Sequence, residues 1–321
     1  MHTQIKNFKP KNRIFLAPME KINDIAFRLL CKKCNCGLTY TGLTNPLTPK
    51  ELILDDKPVL QIFSRDEKGI KKFMKKYESK VSFFDFNLGC PSKLAKKHGF
   101  GSYLTNLKTI EKILKTMKSS AKKPITIKIR KSKISFELLE LAEKYCDAIA
   151  IHARTKEQGY SGEPDLNFAL KIKEESKIPV IYSGNVNENN YKNLLEKFDF
   201  VMIGRSCMGH PEIFAKLTGK NAKISFKNYL KLALKYKLPF KQIKLQAMCF
   251  TKGIRNSRKL RNNLAKCKNV EDILKIYPLD GLNVAKYVLS GWPFFDISFS
   301  SLLAILSKSF KLNFSPKTAR A

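Results

Sequence analysis

The chain has 321 residues, 61 Lys and Arg against 27 Asp and Glu, and a formal net charge of +34. At 43% hydrophobic and 27% charged it is globular in composition, which excludes a disordered chain. No uncharged apolar run of about 18 residues exists to form a membrane-spanning helix.

The N-terminal stretch MHTQIKNFKPKNR has no apolar signal core, so the cytoplasm is the expected compartment. Short runs rich in Ile, Val and Phe then predict eight strands, at 13–18, 38–42, 58–63, 83–89, 124–130, 148–154, 179–184 and 200–204. Their near-continuous apolar character belongs to strands covered on both faces, as in a parallel sheet. Amphipathic stretches fill most of the gaps. In the stretch at 106–118, Ile110, Ile113, Leu114 and Met117 form one apolar stripe. Asn106 and Asn187 stand where helix N-caps belong.

Repeated strand–helix alternation predicts an α/β fold, a (β/α)8 TIM barrel. The rival is a doubly wound open sheet. It is disfavoured because APMEKIND, after the first strand, lacks the Gly-rich fingerprint of a dinucleotide crevice. From about residue 220 the strand signal stops, and 223–270 reads as helices, with breaks at Pro239 and before Asn256. The expected organisation is a barrel over 1–220, a small all-helical C-terminal domain over 221–280, and a tail over 281–321 with no functional reading. Within that tail, 299–312 has the pattern of one more amphipathic helix.

Charge is unevenly spread. Residues 221–270 hold 14 Lys and Arg and no acid. A general bias toward Lys does not empty one segment of acids, so a polyanionic partner is expected there. The eight Cys are expected to be free thiols in a reducing compartment. Cys31, Cys34 and Cys36 are close in sequence but lack a fourth ligand for a closed metal site, and no metal is expected.

In a barrel, chemistry sits at the C-terminal ends of the strands. Those ends carry Pro18 and Met19, Gln61, Asn87 and Cys90, Lys128 and Arg130, His152 and Arg154, Ser183-Gly184-Asn185, and Gly204-Arg205. The last two groups fall after the seventh and eighth predicted strands, where such barrels recurrently hold a phosphate. Glycine lets backbone N–H groups approach an anion, and Arg205 adds a fork of donors.

These residues carry a resemblance. The stretches APMEKINDIAFR, DFNLGCPSKLAKKHGFGSYL, IKIR, IHARTKEQGYSG, IPVIYSGNVN and VMIGR occur in the order found in the tRNA-dihydrouridine synthases. Members of that family reduce uridine in tRNA on an FMN-binding barrel followed by a helical RNA-binding domain. The resemblance implies that Pro18 and Met19 line the flavin, Gln61 bonds its edge, and Lys128 lies beside the ring. His152 contacts the cofactor, and Ser183, Gly184, Asn185, Gly204 and Arg205 hold its phosphate. It further implies Asn87 as a uracil contact and Cys90 as the proton donor. NADPH or NADH would supply the electrons.

The chemistry fits these residue types. Saturating the 5,6 bond of uracil takes a hydride at C6 and a proton at C5, and a thiol with an ordinary pKa of about 8.5 carries that proton near neutral pH. Lys93, Lys96, Lys97 and His98 follow Cys90 and would draw in RNA phosphates. Lys93, Arg154, Arg255, Arg258 and Arg261 are the remaining expected contacts to tRNA. Two departures from the family pattern stand out. Gly42 follows Thr41 where an acid is usual, and SGN replaces the usual NGD at 183–185. The alternatives are a flavin reductase of a free pyrimidine, such as a dihydroorotate dehydrogenase, and a non-catalytic RNA-binding barrel. The acid-free segment disfavours the first; Cys90, Lys128, His152 and Arg205 together disfavour the second.

Overall fold

Seven strands pair side by side, every pair parallel, in the computed structural model, which describes residues 2–48 and 51–277. They are β1 (Ile14–Leu16), β2 (Leu60–Ile62), β3 (Phe84–Leu88), β4 (Ile125–Arg130), β5 (Ala148–His152), β6 (Val180–Ser183) and β7 (Phe200–Ile203). Their order is β1-β7-β6-β5-β4-β3-β2. The helix expected at 299–312, and the tail that holds it, lie outside the described residues.

The strand expected at 38–42 does not form a ladder. It makes single parallel bridges, Leu38 to Phe15 and Tyr40 to Val59. Backbone bonds run from Leu16 N to Leu38 O, from Val59 N to Thr39 O and from Thr41 N to Val59 O, each at 2.8 to 2.9 Å. The segment therefore occupies the eighth position and closes the barrel between β1 and β2. Its ladder is broken because side chains take over part of the bonding: Thr41 Oγ1 accepts from Gln61 N at 3.0 Å.

Among the described residues this unit holds eight α-helices: α1 (Ile25–Lys33), α2 (Ile70–Tyr77), α3 (Lys93–His98), α4 (Leu107–Ser120), α5 (Ser135–Tyr145), α6 (Leu166–Glu175), α7 (Tyr191–Lys197) and α8 (Ile213–Leu217). On α4, Ile110, Ile113, Leu114 and Met117 are all buried, and Asn106 caps the helix by accepting from Thr109 N. Asn187 does not cap α7. Its side chain accepts from Asn189 N in the turn before that helix, because the chain spends three more residues turning.

Register positions the site. Neighbours across a parallel sheet share a face, so each paired row gathers side chains that stand together. Gln61, Asp85, Thr126 and Ala148 form one row, and Asn87, Lys128, Ala150, Ile181 and Phe200 a second. The third row runs Arg130, His152, Ser183, Met202 and Phe15. The apolar members of these rows, with Leu38, Tyr40, Val59 and Phe83, fill the barrel interior. Asn87, Lys128, Arg130, His152 and Ser183 stand toward the C-terminal ends of β3 to β6, while Asp85 and Thr126 lie deeper, near the starts of β3 and β4.

The chain divides into two compact units, the first Met1–Ile224 and the second beginning at Ser225. The second holds α9 (Phe226–Lys235), α10 (Phe240–Cys249), α11 (Ser257–Lys266) and α12 (Val270–Ile276). Phe226 packs against Tyr229, Phe250 and Tyr277, with ring centroids 5.0 to 6.0 Å apart. The helix expected to reach residue 254 stops at Cys249, and the chain turns through Gly253 and Asn256, both at positive φ. The sequence reading missed α12. Its signal was Asn269, which caps it, followed by Glu271 and Asp272 in the first turn.

Cys31, Cys34 and Cys36 are buried free thiols. Among the described residues no three His, Cys, Asp or Glu side chains gather to hold a metal ion, and no helix is long and apolar enough to cross a membrane.

Candidate active site

Cys90 stands just beyond β3, where the chain leaves the barrel, and is held on three sides. Asn87 Oδ1 accepts from Cys90 N at 2.9 Å and from Gly89 N at 3.2 Å. Ser102 donates from both N and Oγ to Cys90 O, at 3.1 and 3.0 Å. The thiol itself donates to Ser92 Oγ at 3.3 Å, and Ser92 also caps α3. Gly101 allows this grip. At φ +61°, a Cβ there would lie 2.7 Å from Cys90 O and 2.9 Å from Cys90 Cβ. Lys93, Leu94, Lys96 and Lys97 are exposed on α3 beside the cysteine.

Deeper in the barrel lies a polar network that the sequence reading missed in part. Asp85 is fully buried and accepts from Gln61 Nε2 at 2.7 Å and from Thr126 Oγ1 at 2.5 Å. Burial pushes its carboxyl up to about 6, against the pull of those two donors and of Lys128. The signal was the alternation in FDFNL, which puts Asp85 and Asn87 on one face of β3.

Lys128 is 9% exposed, and among the described residues nothing accepts a hydrogen bond from its Nζ. Burial, then Arg130, brings its ammonium down to about 8, while Asp85 and Cys90 pull the other way. His152, one row along, is held neutral. Arg154 Nη1 sits 3.0 Å from His152 Nε2, so this nitrogen must offer its lone pair and the ring proton resides on Nδ1. Burial, with Lys128, Arg130, Arg154 and Arg205 around it, lowers the His152 pKa to about 2.

Two arginines fasten the loop after β5. Arg130 donates to Thr155 O and Gly159 O, and to Gly89 O on the cysteine side. Arg154, expected at the substrate, is only 1% exposed; it donates to Ser161 O and Gly162 O. Its guanidinium thus bonds the loop and His152, which places this expected substrate residue behind the loop. The loop so held presents Tyr160, 61% exposed, with Arg130 and Arg205 against its ring at 5.4 and 5.7 Å. Tyr160 was also missed, because exposure of one aromatic in a loop has no sequence signature.

The remaining expected residues gather at the ends of β1, β6 and β7. Ser183 ends β6. Gly184 follows at φ +143°, where a Cβ would press on Pro164 at 3.1 Å. Asn185 Oδ1 accepts from Arg205 Nη2 at 2.8 Å, and its amide donates to Glu163 at 2.7 Å. A Cβ on Gly204 would point between Ala17 and Met19, at 3.7 and 3.8 Å, so Gly204 keeps that side of the mouth open. Pro18 and Met19 are half-buried there. Beside them Glu20 answers the missing acid at position 42: its Oε2 lies 3.0 Å from where a Cβ on Gly42 would stand, and accepts from Leu43 N at 2.8 Å. Arg255, Arg258 and Arg261 are exposed in the second unit, around the start of α11.

The fold has known counterparts. The old yellow enzyme homologue NCR from Zymomonas mobilis shares it at a TM-score of 0.52 and 8% identity, over 70% of this chain and 94% of that one. The TcOYE structure with pHBA does so at 0.52 and 9%, over 67% and 91%. Sequence relatives are more specific. The tRNA-dihydrouridine synthase B of Pasteurella multocida is 30% identical over 237 residues, covering 66% of this chain and 70% of that protein. The protein of the same name from Escherichia coli is 30% identical over 240 residues, covering 67% and 74%. The sequence model of the dihydrouridine synthase family matches residues 15–277, from β1 through the last described helix. The chain belongs to the dihydrouridine synthases, a family of oxidoreductases.

Proposed function

We propose that this chain reduces uridine in tRNA to 5,6-dihydrouridine, with FMN as its resident cofactor and NADPH or NADH as the electron source. The observation that carries the reading is a thiol held by hydrogen bonds at the barrel mouth, close to a buried lysine that has no hydrogen-bond acceptor among the described residues.

The residues fit a flavin. Lys128 offers a nearly buried ammonium with no hydrogen-bond acceptor among the described residues, which suits an acceptor-rich ring that gains negative charge on reduction. Gly204 leaves a cradle between Ala17 and Met19. Ser183, Gly184, Asn185 and Arg205 supply hydroxyl, backbone and guanidinium donors for a phosphate. Pro18, Met19, Gln61 and His152 complete the walls, and neutral His152 adds no further charge. Bound there, the flavin supplies the hydride that uracil takes at C6.

The chain's own residues do the rest. Cys90 gives the proton from Sγ to C5. Asn87 spends one N–H on Gln61 and keeps a second for a uracil carbonyl. Tyr160 offers an exposed ring for a base that has left its stack. Arg154 positions that loop. Lys93 on α3, and Arg255, Arg258 and Arg261 in the second unit, meet the RNA backbone.

The test separates the two half-reactions of Cys90→Ala. Reduction of bound flavin by NADPH should proceed at the wild-type rate. Reduction of tRNA uridine should fall about 10²–10⁴-fold, the weight of a general acid. Wild-type turnover on tRNA would remove Cys90 as the donor, and loss of both half-reactions would make its role structural.

A further inference from the structure

We propose that Asp85 is a positioning residue: through a chain of amide hydrogen bonds it sets the orientation of Asn87 and thereby holds the Cys90 turn closed. The proposal deepens the reading of Cys90 as proton donor and rests on it for its functional meaning.

The argument is one of donor and acceptor direction. A side-chain amide can be turned end for end at little cost in shape, so its orientation is set by what it meets. Asp85, when ionised, only accepts, and it is fully buried. It therefore demands the N–H end of Gln61, met at 2.7 Å. That choice presents Gln61 Oε1 to Asn87, whose Nδ2 donates to it at 2.9 Å. Asn87 then presents Oδ1 outward, where Cys90 N and Gly89 N donate at 2.9 and 3.2 Å. Backbone N–H groups at one end and a carboxylate at the other leave a single consistent orientation for both amides. Reversing either one sets donor against donor in a buried site, which is costly. Thr126, donating to the second carboxylate oxygen, keeps Asp85 from rotating away.

The three side chains come from neighbouring strands, β2 and β3, in paired register. The relay is thus built on the rigid sheet, while the residue it controls stands in a loop. Asn87, Ser102 and Ser92 share the grip on Cys90, and only the Asn87 bond depends on Asp85.

Alkylation of Cys90 in the flavin-loaded full chain, followed by mass spectrometry of its peptide, reads the closure of the turn without reading turnover. Buried Cys146 serves as the monitor of global opening. Asp85→Leu should raise the Cys90 rate about fivefold, the weight of one net hydrogen bond, while Cys146 stays protected. Asp85→Asn should keep the wild-type rate, because its carbonyl still takes the Gln61 N–H and its own N–H meets a lone pair of Thr126. Should Asp85→Leu expose Cys146 in step with Cys90, Gln61→Met decides, compared with the wild type at equal flavin occupancy read from flavin absorbance: it removes the middle link, leaves the carboxylate with Thr126, and should accelerate Cys90 while Cys146 stays protected. An unaltered Cys90 rate in Gln61→Met, or Asp85→Asn behaving like Asp85→Leu, overturns the relay. Either result is separate from the uridine assay, so failure of the relay and failure of Cys90 as donor are told apart.

Discussion

His152 and Lys128 are basic residues whose surroundings disfavour their charged forms, and for His152 the hydrogen bonds say why. An arginine N–H points at its Nε2, so a proton there has no place to go. The unfolded chain takes up that proton near the ordinary pKa of about 6.5, while the folded chain does not until about 2. The unfolded state thus binds more protons below about 6.5, and the stability linked to His152 is lost as the pH falls. His152→Gln should remove this dependence: urea titrations should show the wild type losing about 1.4 kcal/mol per pH unit more than the variant across the range below about 6.5. Equal slopes would mean that His152 is charged in the folded protein. Arg205→Ala should weaken flavin retention by about 1.5–3 kcal/mol, the range for hydrogen bonds to a charged group. Flavin kept as tightly as in the wild type through dialysis would move the phosphate elsewhere.

Among the elements, the β3–α3–Gly101 segment concentrates most of what the site needs. A strand end aims Asn87, a turn presents Cys90, a short helix exposes lysines, and the chain then folds back so that Ser102 grips the cysteine. Two glycines on that return path separate backbone strain from crowding. Gly99 and Gly101 both lie at positive φ, but a Cβ on Gly99 meets nothing within 4 Å. Gly99→Ala should cost only the left-handed backbone, about 1–2 kcal/mol in a melting experiment. Gly101→Ala should cost that and also displace Cys90, so that uridine reduction falls while flavin reduction by NADPH persists. If the two variants reduce tRNA equally well, contact with Gly101 does not hold the thiol in place.

On the scale of the whole molecule, the sequence divides its labour by charge. The barrel unit mixes acids with its lysines, and buries or pairs several: Asp56 with Arg28, Asp199 with Lys173, Asp85 within the network. The stretch 221–270 has no acid to pair, and its Lys and Arg side chains are mostly exposed while Phe226, Tyr229 and Phe250 form the core. Those three rings are therefore spent on packing, and on the proposed reading this stretch meets RNA through its charge. Changing Arg255, Arg258 and Arg261 to Ala together should weaken tRNA binding and make log K against log salt shallower by roughly 0.7–0.9 for each phosphate that the variant no longer neutralises. An unchanged slope in filter-binding titrations would place the RNA surface elsewhere, with α3 and its Lys93, Lys96 and Lys97 the next segment to alter.

The sequence by itself determined the barrel, the helical unit and the family, because each depends on local pattern: apolar runs, helical stripes, and short motifs such as NLGCP and HAR that are contiguous in the chain. It also showed which residues end the strands, since strand ends follow from where the apolar runs stop. What it left undetermined depends on pairs distant in sequence. The eighth position of the barrel read as a strand, yet Thr41 gives its side-chain oxygen to Gln61 twenty residues on and the ladder breaks. Arg154 read as a substrate contact, and the fold buries its guanidinium against loop carbonyls and His152. The Glu20 carboxylate fills the space beside Gly42, and Asp85 reaches Cys90 through two amides. Hydrogen-bond direction and burial are properties of the register between strands. Only the closed barrel, with its paired rows, decides which donors remain for a ligand.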